Sequence, residues 1–502
     1  MGVIKSQGIK QSLIVYVGTA IGVISTLLIY PNLPTEEFGL IKFIQDTALL
    51  VVPFLYLGSN ALSVRYFPIF KNDENGHNGL LTLLLSLLGV GFSIFALICV
   101  LFQERILNYY SNLSEEYITY LDYLPYVLPV TFFLSFSGLI TQYTMNFQRI
   151  AIPAIFNDLF VKLGIPILVL LYLYHFIDLS GVINGMLIVY ASIFICLVVY
   201  LVSLGQFHLK SPFQKLNRPL VKEMRTYAGY SIFGSLGSQL ATRIDTFMVG
   251  SLINLSSTGV FAIAFYISNV IDIPRRAISK ISSPILSQSL QDGDLENVAK
   301  IYKKSALIQL IIGSFIFAGI WLSLDDLFSL MKNGEEFARG KYVVFALGIA
   351  ILIDMLTGVN DEIIAYSKYY RYKFYLILCL AVFNIVANLI FILELELGIV
   401  GAALATLFSK SIYNLIKFIL LKVKMDIQPF SINMLWAVGI VIGCYFLVSI
   451  LPLTDLVFLN IVIKSASFAI ICGGLIYGLK ISEDVNELVD GALQKVIGFV
   501  RK

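Results

Sequence analysis

Along this chain, about fourteen apolar runs of membrane-spanning length follow one another with only short connections. They lie at roughly 11–31, 38–60, 79–102, 122–145, 150–174, 181–204, 227–252, 257–279, 302–324, 341–366, 373–395, 398–421, 432–451 and 456–479. A helix crossing the hydrocarbon core needs about 20 mostly apolar residues, and only helices or closed barrels satisfy their backbone there. Runs of this length and number leave one fold class, an all-α polytopic membrane protein. Composition agrees: 58% of the residues are hydrophobic and 13% charged, against about 25% charged in soluble domains. The longest connections, near 205–226 and 280–301, are too short for a soluble domain.

Several classes fall away. A net charge of +3 is too small to imply a nucleic-acid partner. Cys99, Cys196, Cys379, Cys444 and Cys472 all lie in apolar runs without CxxC spacing, so neither a disulfide framework nor a metal site is expected. His77, His175 and His208 build no zinc pattern, and no cofactor is implied. Lys5 and Lys10 precede the first run without a small-residue cleavage site, so that run reads as an uncleaved span.

Basic residues orient the chain. With a cytoplasmic N-terminus, the outside loops hold only Arg105, Lys332, Arg339 and Lys341 of the 35 Lys and Arg. Lysine and arginine collect on the cytoplasmic side of short loops, so both termini are expected to be cytoplasmic.

The chain also carries a weak internal repeat. LPTEEFGLIKFI around Gly39 has the layout of NLSSTGVFAIAFYI around Gly259. SGVINGMLIVYAS (Ser180–Ser192) echoes LGIVGAALATLFS (Leu397–Ser409). The expected organisation is two six-helix halves, 1–210 and 211–425, then two further spans at 426–480 and a cytoplasmic amphipathic helix at 481–502. Val485, Leu488, Val489, Leu493, Val496, Ile497 and Val500 form the apolar stripe of that last helix. Repeated halves are how many transporters build a central site.

One run is anomalous. Tyr227–Leu252 is long enough to span, yet contains Arg243 and Asp245, with Gln239 one turn earlier. An arginine near the bilayer centre costs roughly 2.5–3.5 kcal/mol on insertion scales, so it faces a partner or a wet cavity. Two residues apart is about 200° around a helix, so the two charges do not share a face. Gly229, Gly234 and Gly237 would let other helices approach closely.

The stretch YSKYYRYKFYLILCLAVFNIVANLIFILELELGIVGAALATLFS (Tyr366–Ser409) sets a basic loop before a helix with Asn384 and Asn388, then Gly398 to Thr406 after a short turn. This resembles the polysaccharide repeat-unit (O-antigen, Wzx-like) flippases of the multidrug/oligosaccharidyl-lipid/polysaccharide exporter superfamily. TQYTMNFQRIAIPAIFNDLF, with Arg149 in a tight turn, is similar to the family's turn before the fifth span. The resemblance covers the whole chain and implies a MATE-like two-lobed bundle around a cavity. It implies a substrate too: an undecaprenyl-pyrophosphate-linked oligosaccharide flipped across the bacterial inner membrane by alternating access. The implied partners are that substrate, membrane lipids, and glycan polymerases or glycosyltransferases.

An anionic substrate calls for cations within the membrane. Arg243 is the first phosphate-contact candidate, its alternative being an interhelical ion pair with Asp46. Lys42 and Asp46 are four apart on one helix face, suited to substrate contact or to pairing with each other. Arg275 and Arg276 could draw a diphosphate to the cytoplasmic mouth, with Asp272 at a solvated helix end. Asp245, Asp354 and Asp46 are candidates for ion or proton coupling, since intramembrane acids often relay protons. Asp245 alternatively partners Lys42. Asp361 and Glu362 read as wet, and Lys410 and Lys464 as snorkelling.

Two other functions compete. A cation-coupled multidrug exporter of the same fold would suit the many buried acids. A membrane glycan ligase or polymerase would need catalytic groups outside. The outside segments Gln103–Leu121 and Asp325–Gly340 hold no histidine and no nucleophile beside a base, so no enzyme is expected.

Overall fold

The computed structural model describes residues 14, 17–212, 216–451, 454, 456–487 and 490. Among these the chain is helix and loop throughout. The helices used below are α1 (Val17–Asn32), α2 (Thr35–Leu55), α3 (Ser59–Phe70), α4 (Leu80–Leu113), α5 (Val127–Met145), α6 (Val161–Leu173), α7 (Leu179–Ser203) and α8 (Arg218–Leu252). They continue with α9 (Leu255–Gln291), α10 (Leu295–Ser329), α11 (Lys341–Leu356), α12 (Asn360–Tyr366), α13 (Tyr370–Leu389), α14 (Gly398–Met425), α15 (Ile432–Ser449) and α16 (Val457–Gly478). Among the described residues, 11 helices are long and apolar enough to span, or 12 if α11 and α12, bent by 50°, count as one. The first and seventh expected spans are also helical, as α1 and α8. The former is short where described, and α8 carries the anomalous charges.

Several helices outrun their apolar runs. α9 passes through Pro274 and Pro284 to Gln291, and α10 begins at Leu295. The expected 280–301 connection is therefore mostly helix. The Asp294 side chain accepts from the Asn297 N–H, a side-chain cap on the orphan donors of a helix start. Asn217 does the same for Leu220 at the start of α8, with proline in the first turn.

By packing, the chain divides into two compact units, Met1–Ala262 and Ile263–Lys502. In the first, α2 is enclosed by α8, α5 and α4. Every residue from Phe38 to Asp46 is buried, as in a helix enclosed on all sides. The packing boundary lies beyond residue 210 because α8 lies along α2. The two repeat glycines meet here. A Cβ on Gly39 would fall 1.8 Å from the Leu255 carbonyl oxygen, and one on Gly259 2.2 Å from that of Thr35. Only glycine permits such backbone contact. Thr35 and Ser256 close the crossing with a 2.8 Å hydroxyl bond. Gly229, expected to allow close packing, has nothing within 4 Å of its Cβ position.

In the second unit, α14 lies between α11 and α13, and α10 packs against α11, α15 and α16. Ala437, Val441, Cys444, Phe468 and Cys472 form the apolar contact of α15 and α16 with Ile311, Ala318 and Leu322 of α10. Ile481 and Val485 join that cluster, and Asp484 pairs with Lys304 at 2.7 Å. Most of the expected tail helix at 481–502 lies outside the described residues.

Candidate functional site

Each unit holds its own set of polar groups at membrane depth. In the first, Arg243 of α8 donates to Asp46 of α2 at 2.6 Å. This is the interhelical pair that stood as one reading of Arg243. Asp46 thus has its cation on another helix, where the sequence allows either that partner or Lys42. Lys42 instead donates to Gln45 at 3.0 Å and sits 5.2 Å from the Tyr30 ring centroid. Gln45 in turn donates to the Tyr190 hydroxyl at 3.2 Å. The two partners differ in exposure: the Arg243 side chain is 32% exposed and that of Asp46 9%. The carboxylate is sealed while part of the guanidinium remains open. Asp245 is buried, on a different side of α8 from Arg243 as their spacing requires. Phe43 and Phe247 stack beneath, 6.0 Å apart and nearly parallel.

In the second unit, Asp272 is buried and holds two arginines of its own helix, Arg275 at 2.5 Å and Arg276 at 2.6 Å. The solvated helix end expected at Asp272 is not found, because α9 runs on for five more turns. Arg275 and Arg276 thus share one carboxylate rather than standing bare.

The other acids form a ladder across the break between α11 and α12. Asp354 accepts from Lys410 at 2.8 Å and from Asn414 at 2.6 Å. Thr357 donates to Asn414 at 2.8 Å. Asp361 accepts from Lys417 at 2.9 Å and from Tyr413 at 3.0 Å, with the Lys417 ammonium 4.0 Å above the Tyr413 ring. Gly358, at φ +55°, makes the break between the two rungs. Its left-handed backbone is one that glycine adopts without penalty. Arg275 lies within electrostatic reach of Asp354 and Asp361.

Lys410 and Lys464, expected to snorkel, are paired instead, Lys464 with Asp326 at 2.5 Å. Asp361, expected to be wet, carries a buried partner: the Lys417 side chain is 2% exposed. Asn388 bonds back to Asn384 along its own helix. Lys417, Asn414, Thr357, Gln45 and Tyr190 were not singled out in the sequence. One signal was present: Asp354 and Asp361 are seven apart, as are Lys410 and Lys417. The seven-residue spacing puts Lys410 and Lys417 on one side of α14, where each meets one of the two acids on either side of the Gly358 break.

The comparisons with known proteins follow this geometry. The structure of the lipid II flippase MurJ in an inward closed conformation matches with a TM-score of 0.74 at 15% identity, covering 94% of this chain and 99% of that one. An inward-facing multidrug resistance MATE family transporter of the MOP superfamily matches with a TM-score of 0.62 at 12% identity, covering 81% and 94%. At such identities these likenesses concern the fold alone, that of a multi-pass membrane protein.

The sequence matches the family "Polysaccharide biosynthesis protein" over residues 8–290, and MatE over 231–390. The first match covers more than half of the chain, which belongs to that family. A probable low-salt glycan biosynthesis flippase, Agl15 of Haloferax volcanii, is 26% identical over 200 residues. That match spans 39% of this chain and 41% of the relative.

Proposed function

We propose that this protein flips a lipid-linked oligosaccharide across the membrane by alternating access, for assembly of a cell-surface polysaccharide. The observation that carries the reading is the family match over residues 8–290. A similarity to a protein described as a glycan biosynthesis flippase supports it. The finer form of the proposal is an undecaprenyl-pyrophosphate carrier in a bacterial inner membrane, with both termini cytoplasmic.

Arg243 is the proposed phosphate contact. A guanidinium offers five donors in a fixed fork, and the Arg243 side chain is about a third exposed. Lys42 stands one turn before Asp46, and Arg275 and Arg276 remain secondary contacts. Among the acids, Asp46 and Asp354 each hold a resident cation. Asp245 is the preferred coupling group, because it is buried on the same helix as Arg243. A proton gained there alters the field at the phosphate contact.

The test is a strain lacking the gene, scored for surface polysaccharide and for lipid-linked units trapped inside. Wild type should restore export, and Arg243→Ala should lower it by an order of magnitude at unchanged protein level. Equal rescue by Arg243→Ala rejects the phosphate contact. The MatE match over 231–390 favours drug export as a second reading. Surface glycan unchanged by deletion, with altered drug resistance, would select it.

A further inference from the structure

We propose that the lysine-poor end of the first unit carries a docking surface for neutral glycan, built from Tyr120, Tyr123, Tyr172, Glu37 and Asn184. The inference rests on the glycan reading above and adds where the sugars are held. Three segments supply the surface: the start of α2, the turn leading into α5, and the connection from α6 to α7. The turn Leu121–Tyr126 is a 3-10 helix, in which side chains three apart eclipse one another. Tyr123 and Tyr126 therefore fall in one row, with rings 6.4 Å apart, and Tyr120 stands at the N-cap before them.

The polar groups around the row are anchored to neighbouring helices. Tyr126 donates to the Asn184 carbonyl oxygen at 2.7 Å. The Asn184 amide donates to Ser180 at 3.2 Å. Tyr172 donates to Glu37 Oε1 at 2.9 Å. The other oxygen, Glu37 Oε2, is buried without a hydrogen-bond partner. Tyr120 and Tyr172 lie within electrostatic reach of each other and of Glu37. A buried carboxylate oxygen lacking a donor is costly unless something supplies one.

The chemistry selects the occupant. Residues 31–37, 114–126 and 172–184 contain no lysine or arginine, but do contain Glu36, Glu37, Glu115, Glu116, Asp122 and Asp178. Such a surface repels a diphosphate or an anionic lipid headgroup. Aromatic faces take the C–H face of a sugar ring, and carboxylates and amides take its hydroxyls. Phosphate contact at Arg243 and sugar contact here divide one amphiphilic headgroup between cationic and acidic surroundings.

The experiment uses the full chain in lipid nanodiscs with soluble neutral tetrasaccharides of glucose, galactose, mannose and N-acetylhexosamine, read by saturation-transfer NMR. Wild type should bind at least one at millimolar concentration. Tyr120→Ala, Tyr123→Ala and Glu37→Gln should each weaken it roughly five- to tenfold, the size of one aromatic or hydrogen-bond contact. Tyr123→Phe should keep most of the binding. Absence of binding in wild type overturns the proposal. So does equal binding by the alanine variants, or tetraethylammonium binding in place of sugar. The deletion strain separates the two readings. If export depends on the gene while the tyrosine variants bind as wild type, only the docking surface fails. If surface glycan is independent of the gene, the flippase reading fails.

Discussion

Lys417 is a fully buried ammonium in the second unit, with Asp361 and the Tyr413 ring as its surroundings. Removing one member of a buried pair leaves an uncompensated charge, which costs about 3 kcal/mol or more, whereas replacing both by apolar groups is often neutral. Asp361→Leu, which strands the Lys417 ammonium at 2% exposure, is therefore expected to lower the thermal unfolding midpoint of the detergent-solubilised protein clearly. Lys417→Met with Asp361→Leu should recover most of the loss. A double variant as unstable as the single one would show that the rung does not act as a unit. The pair Arg243–Asp46 differs in kind, because its cation keeps a third of its surface open. Asp46→Asn should leave the midpoint within a degree or two, since a partly exposed pair contributes little. It should still change export in the deletion strain, because the orientation of the guanidinium is lost.

At the scale of elements, the α2–α9 crossing tests the internal repeat. Gly39 and Gly259 occupy matching places in the two halves, and so do Thr35 and Leu255, whose carbonyls the glycines approach. The contact is accordingly near-symmetric, each half offering the same backbone position to the other. Gly259→Ala should push α9 off α2 and reduce folded protein recovered by size-exclusion chromatography. Gly229→Ala, with open space around it, should not. Equal recovery of both variants would mean that the crossing opens without cost. The repeat aligned these two glycines in the sequence, but their contact came only with the fold. The spans were legible because apolar length is a property of one segment alone. The ladder was not, because hydropathy weighs each run separately, whereas Asp354 and Lys410 are joined only once α11 lies on α14. For the same reason Lys410 and Lys464 looked like snorkelling residues: their partners stand on other helices. Asp272 was misjudged because the apolar run ends where the helix does not.

For the molecule as a whole, the basic residues carry an orientation that follows from their loops. Of the expected outside segments, the one between α10 and α11 is short and carries Lys332, which is exposed. Lys222, near the start of α8, is exposed as well and belongs to the expected cytoplasmic side. The five native cysteines lie in apolar runs, and Cys379 is exposed, so a cysteine-free background is needed first. In that background, Lys332→Cys should react in intact cells with a membrane-impermeant maleimide, and Lys222→Cys only after the cells are opened. The reverse pattern would invert the topology and move Tyr120, Tyr123 and Tyr172 to the cytoplasmic face. The glycan surface would then meet sugars before transport rather than after it. Labelling of both positions in intact cells would break the odd count of spans between them. The lysine asymmetry argues against both results, because a short loop rich in lysine resists translocation whatever the fold that follows.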